Sequence, residues 1–314
     1  MDSIMKLAIL GATGHIAKGL IYGFNQPAQD ELHLFARSTD RLQQFLAEIR
    51  CGKNALTKSF DDFNKTEYDV IINCTGIGDP GKLKDHISSI FGLTETFDNL
   101  ILSHLEKYPD ALYINISSGA AYGTNFTLPA EESTPTKFDI NRLSTDDFYG
   151  IAKLNSEAKH RSLAGFNIVD IRAFGYFSRF IDLQTRYLIT DIISCIMNKQ
   201  ELVTDSNNIV RDYIHSQDLL ALIKRCMEKH QINNVYDIYS RKPVAKFEVI
   251  SYFSEQYGMK YRVDDTYKPL KATGKKDNYC SNNKRAQSIG YDPQFTSMDC
   301  IMQESTAILK SEYV

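Results

Sequence analysis

Tyr149 and Lys153 stand four residues apart in Tyr149-Gly150-Ile151-Ala152-Lys153, a spacing that puts both side chains on one helix face. An ammonium group beside a phenol favours the phenolate and makes the phenol a usable acid near neutral pH. The pattern alone is weak, since about one such match arises by chance in a chain this rich in tyrosine and lysine. A second match, Tyr267 with Lys271, encloses Pro269, which spoils helical geometry, and it is set aside. The run Ser117-Ser118-Gly119-Ala120-Ala121-Tyr122-Gly123 strengthens Tyr149. A serine leaving the C-terminal end of a strand points into a cleft, where its hydroxyl can hold a substrate oxygen. Loop capping is the competing role for either serine.

The apolar run at residues 5–10 passes straight into Gly11-Ala12-Thr13-Gly14-His15-Ile16-Ala17. Glycines here permit a tight turn and let backbone amides approach a pyrophosphate at a helix N-terminus. The spacing is G-x-x-G-x-x-A, one residue longer than the standard dinucleotide fingerprint. Glycine pairs also punctuate ordinary turns, but a strand before and a helix after favour a dinucleotide. Gly11, Thr13, Gly14, His15 and Ile16 are therefore expected at a cofactor. At the end of the next apolar run, where an NAD binder places an acidic residue for the ribose 2′-hydroxyl, stand Arg37 and Ser38, with Arg41 following. Two guanidinium groups and a hydroxyl suit a 2′-phosphate. NADP(H) is the expected cofactor and NAD(H) the alternative; a helix cap with solvated arginines would also account for these residues.

The elements that must position these groups alternate. Apolar runs at 5–10, 31–36, 69–74, 111–117 and 167–172 read as strands covered on both faces. Helical stretches at 14–25, 38–50, 83–108 and 145–163 lie between them. This rhythm predicts an α/β fold with a doubly wound parallel sheet, whose ligand site lies at the strands' C-terminal ends. Beyond residue 175 come a helix at 182–198, a polar turn at 205–208, a short strand and a helix at 216–229. A helix near 244–257, a lysine-rich loop at 268–276 and two short terminal helices complete the chain. Residues 1–175 with roughly 208–240 are expected to form a dinucleotide-binding domain. Roughly 176–207 with 241–314 are expected to form a smaller mixed α/β substrate lobe.

Composition excludes several other classes. The 314 residues carry 36 Lys and Arg against 39 Asp and Glu, a net charge of −3, which argues against a phosphate-tracking nucleic-acid binder. Apolar residues at 43% and charged residues at 24% fit a globular chain rather than disorder. No stretch approaches the ~18 apolar residues of a membrane span, so no membrane partner is expected. The apolar run before Gly11 suits a buried strand and not a signal-peptide core. The 6 cysteines include no C-x-x-C pair and no histidine at ligand spacing, so no metal site is expected, and they read as reduced thiols of a cytoplasmic protein.

In ordered combination these motifs resemble the extended short-chain dehydrogenase/reductases, specifically the nucleotide-sugar epimerase, dehydratase and reductase branch. The resemblance rests on the loop at 11–19, Asn73-Cys74-Thr75-Gly76, the serine run at 117–123, Tyr149 with Lys153, and Arg172-Ala173-Phe174-Gly175-Tyr176. The piece most specific to the branch is Val210-Arg211-Asp212-Tyr213-Ile214-His215-Ser216-Gln217-Asp218. The resemblance implies a Rossmann-type fold and a nucleoside-diphosphate sugar as substrate. It implies Tyr149 as acid/base, Lys153 on the nicotinamide ribose, Ser118 rather than Ser117 as the catalytic hydroxyl, and Thr75 and Gly76 at the cofactor. It places Tyr122, Arg211 and Lys271 at the substrate, with Arg211 gripping the diphosphate and Lys271 standing where an arginine is usual. It also implies a homodimer through the helices at 83–108 and 145–163, although the same apolar stripes could simply cover the sheet.

Departures from the family pattern narrow the chemistry. Dehydratases of this branch carry an acid pair immediately after the catalytic hydroxyl, and related decarboxylases a glutamate. Here Gly119 and Ala120 occupy those places, and neither can transfer a proton. Redox at one carbon remains: an NADPH-dependent reduction of a keto-sugar, with an NAD-dependent 4-epimerase as the alternative. A non-catalytic NADP-sensing regulator on the same fold would need none of Ser118, Tyr149 and Lys153.

Overall fold

The computed structural model describes residues 4–26, 30–77, 85–229, 231–267 and 276–310. Strands β1 (Lys6–Leu10), β2 (Glu31–Phe35), β3 (Ala55–Lys58), β4 (Val70–Asn73), β5 (Leu112–Ser118), β6 (Asn167–Ala173) and β9 (Asn233–Asp237) form one sheet. Its order is β3-β2-β1-β4-β5-β6-β9, and every pairing is parallel. The order reverses between β1 and β4, and the C-terminal ends of these strands are where a doubly wound sheet places its ligand crevice.

The central strands form where the sequence is nearly continuous in apolar residues. Leu7, Ile9, Val70, Ile72, Ile114 and Val169 face one core with helices α1 (His15–Phe24), α2 (Thr39–Glu48) and α6 (Ser216–Met227). Ala8, Leu10, Ile71 and Tyr113 face another, covered by α3 (Ile90–Lys107) and α4 (Thr145–Ser162). Each fully buried aliphatic side chain there contributes ~1.5–3 kcal/mol. A third apolar cluster joins α5 (Leu188–Met197), α7 (Lys246–Tyr257) and α8 (Ser297–Leu309) through Ile192, Phe253 and Ile301.

Two small sheets lie outside the large one. Strand β8 (Val210–Arg211) pairs with β10 (Val244–Ala245) and with β12 (Asn278–Tyr279); β7 (Leu202–Thr204) pairs with β11 (Tyr261–Val263). The short strand expected after the polar turn is therefore β8, the middle strand of a separate three-stranded sheet. Several expected helices are shorter than their amphipathic patterns. The stretch at 182–198 becomes helical only at Leu188, because Asp182 accepts from Thr185 N in a preceding turn. Within the described part of the stretch at 83–108, Asp85 is helical, a 3-10 turn follows at Ile87–Ser89, and the main α-helix runs from Ile90.

Helix α4 docks on the sheet through charge as much as through apolar surface. Ser144 caps its start, its backbone N–H donating to Asp147 Oδ2 at 2.8 Å. Further along, Lys153 Nζ donates to Ile116 O at 2.9 Å, and Glu157 Oε1 accepts from Ser117 Oγ at 2.5 Å. Arg172 on β6 grips Glu157 with Nε at 3.0 Å and Nη2 at 2.6 Å. One turn on, His160 lies with Nδ1 2.9 Å from Asp170 Oδ1 and Nε2 2.7 Å from Asp98 Oδ1. A carboxylate only accepts, so both ring nitrogens carry protons and His160 is an imidazolium. Burial alone would lower its pKa, but hydrogen bonds and charge from Asp170 and Asp98 outweigh it and raise the pKa to about 9. A pKa raised above the unfolded value gives stability that is full below pH ~6.5 and lost as pH rises through the folded value. We expect His160→Gln to be less stable than wild type at pH 6, with the difference narrowing through pH 9. Denaturant melts across that range measure it; a pH-independent difference would contradict the assignment.

Candidate active site

The cofactor end of the crevice is built from backbone. Gly11 adopts φ +74°, and a Cβ there would lie 3.0 Å from the carbonyl carbon and oxygen of Cys74. A side chain thus meets both an unfavourable backbone region and a wall. Ala12 N–H donates to Phe35 O at 3.0 Å and Gly14 N–H to Gly11 O at 2.8 Å, which fixes the loop against β2. The first turn of α1 holds no acidic residue, so its positive N-terminal end faces the crevice uncompensated. Thr13, Gly14, His15 and Ile16 present their backbone at this end. The His15 ring turns inward, accepting from Ser178 N–H at 3.2 Å and lying edge-on to Tyr176. Burial holds this imidazole neutral, with its pKa lowered to about 4. Its Nε2 is thus occupied by the Ser178 backbone.

Across the switch point, Asn73 Oδ1 accepts from both Thr75 N and Thr75 Oγ1, at 3.0 and 2.5 Å, which shapes the Thr75-Gly76 turn beside Gly11. Arg37, just beyond β2, and Arg41, in the first turn of α2, are exposed, and Ser38 is half-buried as the N-cap of α2. Neither guanidinium forms an ion pair among the described residues, and Ser38 makes no capping hydrogen bond. A backbone cradle at a helix N-terminus, with two uncommitted cations at its edge, fits a nicotinamide dinucleotide.

The reactive end is built from side chains. Ser117 and Ser118 close β5 and, as neighbours on a strand, point to opposite faces. Ser117 is committed to Glu157. Ser118 Oγ accepts from Ala120 N–H at 3.2 Å and lies 3.1 Å from Tyr279 OH. Helix α4 reaches this turn closely, since a Cβ on Gly150 would lie 2.4 Å from Ala120 O. The helix backbone at Tyr149 and Gly150 thus lies beside the turn that follows Ser118. Lys153 Nζ sits 5.9 Å from the centroid of the Tyr149 ring and 3.8 Å from where a Gly76 Cβ would be, so it bridges the two ends of the crevice. Where a dehydratase carries acids, Gly119 is pressed against the Phe174 ring, with 2.5 Å to a Cβ built there, and Ala120 is buried.

Arg211 arrives on β8. Its Nη1 donates to Val210 O and to Lys276 O, both at 2.7 Å, which anchors one end of the guanidinium to backbone. Lys276 Nζ lies over the Tyr279 ring, 4.1 Å from the centroid. Burial and the nearby charge of Arg211 push its pKa down to about 8, against the pull of Asp146. Lys276 and Tyr279, in or next to the lysine-rich stretch, are singled out by no local motif: the backbone of Lys276 meets Arg211, and β12 carries Tyr279 to Arg211 and Ser118. Lys271 lies outside the described residues. Tyr122 is buried, donates its hydroxyl to Asp237 Oδ2 at 3.0 Å, and carries Arg172 over its ring at 4.4 Å. Its hydroxyl is thus occupied within the protein.

The fold defines a dinucleotide-dependent α/β enzyme, and a tyrosine, a lysine and a serine stand near one another at the end of β5. The profile described as the NAD dependent epimerase/dehydratase family matches residues 7–240, and the chain belongs to that family. No curated protein matches the sequence significantly. Among solved structures, a UDP-N-acetylglucosamine 4-epimerase from Methanobrevibacter ruminantium M1 in complex with UDP-N-acetylmuramic acid is 16% identical, with TM-score 0.80 over 99% of each chain. A dTDP-glucose 4,6-dehydratase from Bacillus anthracis in complex with NAD is also 16% identical, with TM-score 0.78 over 98% of this chain and 97% of that one. A UDP-glucuronic acid 4-epimerase from Bacillus cereus with UDP-glucuronic acid and NAD is 15% identical, with TM-score 0.79 over 98% of this chain and 100% of that one. Among the described residues no helix is long and apolar enough to cross a membrane.

The close approach at Gly11 gives a direct test of the cradle. We expect Gly11→Ala to weaken dinucleotide binding at least tenfold, because a non-glycine residue at positive φ costs ~1–2 kcal/mol before any clash is counted. Fluorescence titration with NADPH and NADH measures this, and unchanged affinity for both would contradict the placement.

Proposed function

We propose that this protein is an NADPH-dependent reductase of a nucleoside-diphosphate keto-sugar, of the 4-keto-6-deoxyhexose kind. The observation that carries the reading is the pair Arg37, just beyond β2, and Arg41, in the first turn of α2, both exposed and without an ion-pair partner among the described residues. Their charge and the Ser38 hydroxyl match a 2′-phosphate, and an exchangeable NADPH suits net reduction. Gly119 and Ala120 leave no acid for dehydration.

When bound, the nicotinamide supplies the hydride that adds to the carbonyl carbon. Tyr149 gives its phenolic proton to the carbonyl oxygen, turning the ketone into an alcohol. Lys153, held by Ile116 O, stabilises the tyrosinate that remains. Ser118 donates a hydrogen bond to the same oxygen as negative charge builds on it. Arg211 and Lys276 offer two cations to the diphosphate, and the packed pair α3 and α4 offers the contact surface between two copies. The same residues would serve a 4-epimerase, the reading favoured by the 4-epimerases among the structural neighbours. Such an enzyme would oxidise and re-reduce one carbon on a retained NAD.

Two outcomes test the proposal. Enzyme mixed with NADPH and a panel of nucleoside-diphosphate 4-keto-6-deoxysugars is expected to consume the nicotinamide absorbance, and Tyr149→Phe to lower kcat by ~10²–10⁴. No consumption with any sugar, together with NAD retained on purification, favours the epimerase instead. Replacing Arg37 and Arg41 with alanine is expected to weaken NADPH by at least tenfold, given ~1.5–3 kcal/mol per charged hydrogen bond. NADH binding should stay within about twofold, and equal losses for both cofactors would remove the 2′-phosphate assignment.

A further inference from the structure

Ser118 has one proton and two lone pairs to spend. The Ala120 N–H takes one lone pair at 3.2 Å. The remaining described partner is Tyr279 OH at 3.1 Å, where either oxygen can donate. If Ser118 donates to Tyr279, its proton is spent inside the protein and it has none for a substrate oxygen. If Tyr279 donates, both lone pairs of Ser118 are filled from behind and its proton must point outward.

We propose that Tyr279 is a positioning residue that donates its hydroxyl proton to Ser118 and so turns the Ser118 hydroxyl toward the reacting oxygen of the substrate. This rests on the assignment of Ser118 as the substrate-binding hydroxyl. The surroundings of Tyr279 hold it to that task. Its ring meets Phe126 edge-on at 4.8 Å and Phe174 at 5.1 Å, and β12 is fixed to β8 with Tyr279 beside Arg211. Lys276 Nζ lies over the ring, 4.1 Å from its centroid. The phenol cannot swing away without opening this aromatic cluster. Burial also raises its pKa, so Tyr279 keeps its proton at the pH where the enzyme works. The cleft thus holds two phenols with separate duties: Tyr149 transfers a proton, and Tyr279 retains one in order to aim another.

A double-mutant cycle separates this from a packing role. Tyr279→Phe keeps the ring and removes only the hydroxyl. It is expected to lower kcat on the order of tenfold, the scale of one hydrogen bond, with KM within about twofold. In a Ser118→Ala background the same change should cost nothing further, because no proton remains to be aimed. Additive kcat losses, or an undiminished kcat in the single variant, would overturn the proposal. The matching cycle on denaturant stability needs no substrate, and non-additivity is expected there too. Additive stabilities would mean that the Tyr279–Ser118 bond does not form, whatever the substrate. If the wild type turns over no keto-sugar, the reductase reading falls, and the kcat cycle is run instead on nucleotide-sugar epimerisation with the same criteria.

Discussion

The site depends on the buried charge that fastens α4 to β5 and β6. Lys153, Glu157 and His160 lie on one face of this helix, and each reaches a group on the sheet: Ile116 O, then Ser117 with Arg172, then Asp170. Bringing these charges out of water is costly, and each is compensated only when the helix sits in one register. Removing one partner of such a pair leaves an uncompensated charge, at ~3–5 kcal/mol. Apolar packing would tolerate a helix slipping or rolling; a file of matched hydrogen bonds does not. Gly150 against Ala120 O closes the same interface at the catalytic end.

From that register the chemistry follows. Tyr149 is brought to the turn after Ser118, and Lys153 stands between the phenol and the Gly76 end of the dinucleotide cradle. The two ends of the crevice use different materials. Backbone at Gly11–Ile16 and an uncompensated helix terminus offer dipoles and close approach, which the proposed cofactor needs. Side chains offer proton donors and cations at definite points, which the proposed substrate needs. Arg211 and Tyr279 come from small strands outside the main sheet, and Lys276 from the segment just before β12; Tyr279 meets the main sheet at Ser118.

Much of this was legible in the sequence, and the remainder was hidden for physical reasons. The central strands announce themselves because burial on both faces demands continuous apolar runs, as in Lys6–Leu10 and Val70–Asn73. The edges do not: β3 is half-buried throughout, and β9, Asn233–Asp237, begins with two asparagines. The glycine loop and the Tyr149–Lys153 spacing are local patterns and could be read directly. Tyr279 and Lys276 become part of the site only because β12 pairs with β8, a contact across 67 residues from Tyr279 to Arg211 that no local pattern encodes. The opposed facing of Ser117 and Ser118 could be anticipated from strand alternation; which of them Glu157 would claim could not.

The arrangement implies that one substrate oxygen meets Tyr149 and Ser118 together while the cofactor's phosphates lie at Gly11–Ile16. A crystal structure with NADP and a nucleoside-diphosphate sugar bound measures this directly. The sugar oxygen is expected within hydrogen-bonding distance of both hydroxyls, the 2′-phosphate between Arg37 and Arg41, and the diphosphate at Arg211. A sugar oxygen that meets neither Tyr149 nor Ser118, or an adenosine ribose turned away from Arg37, would contradict it.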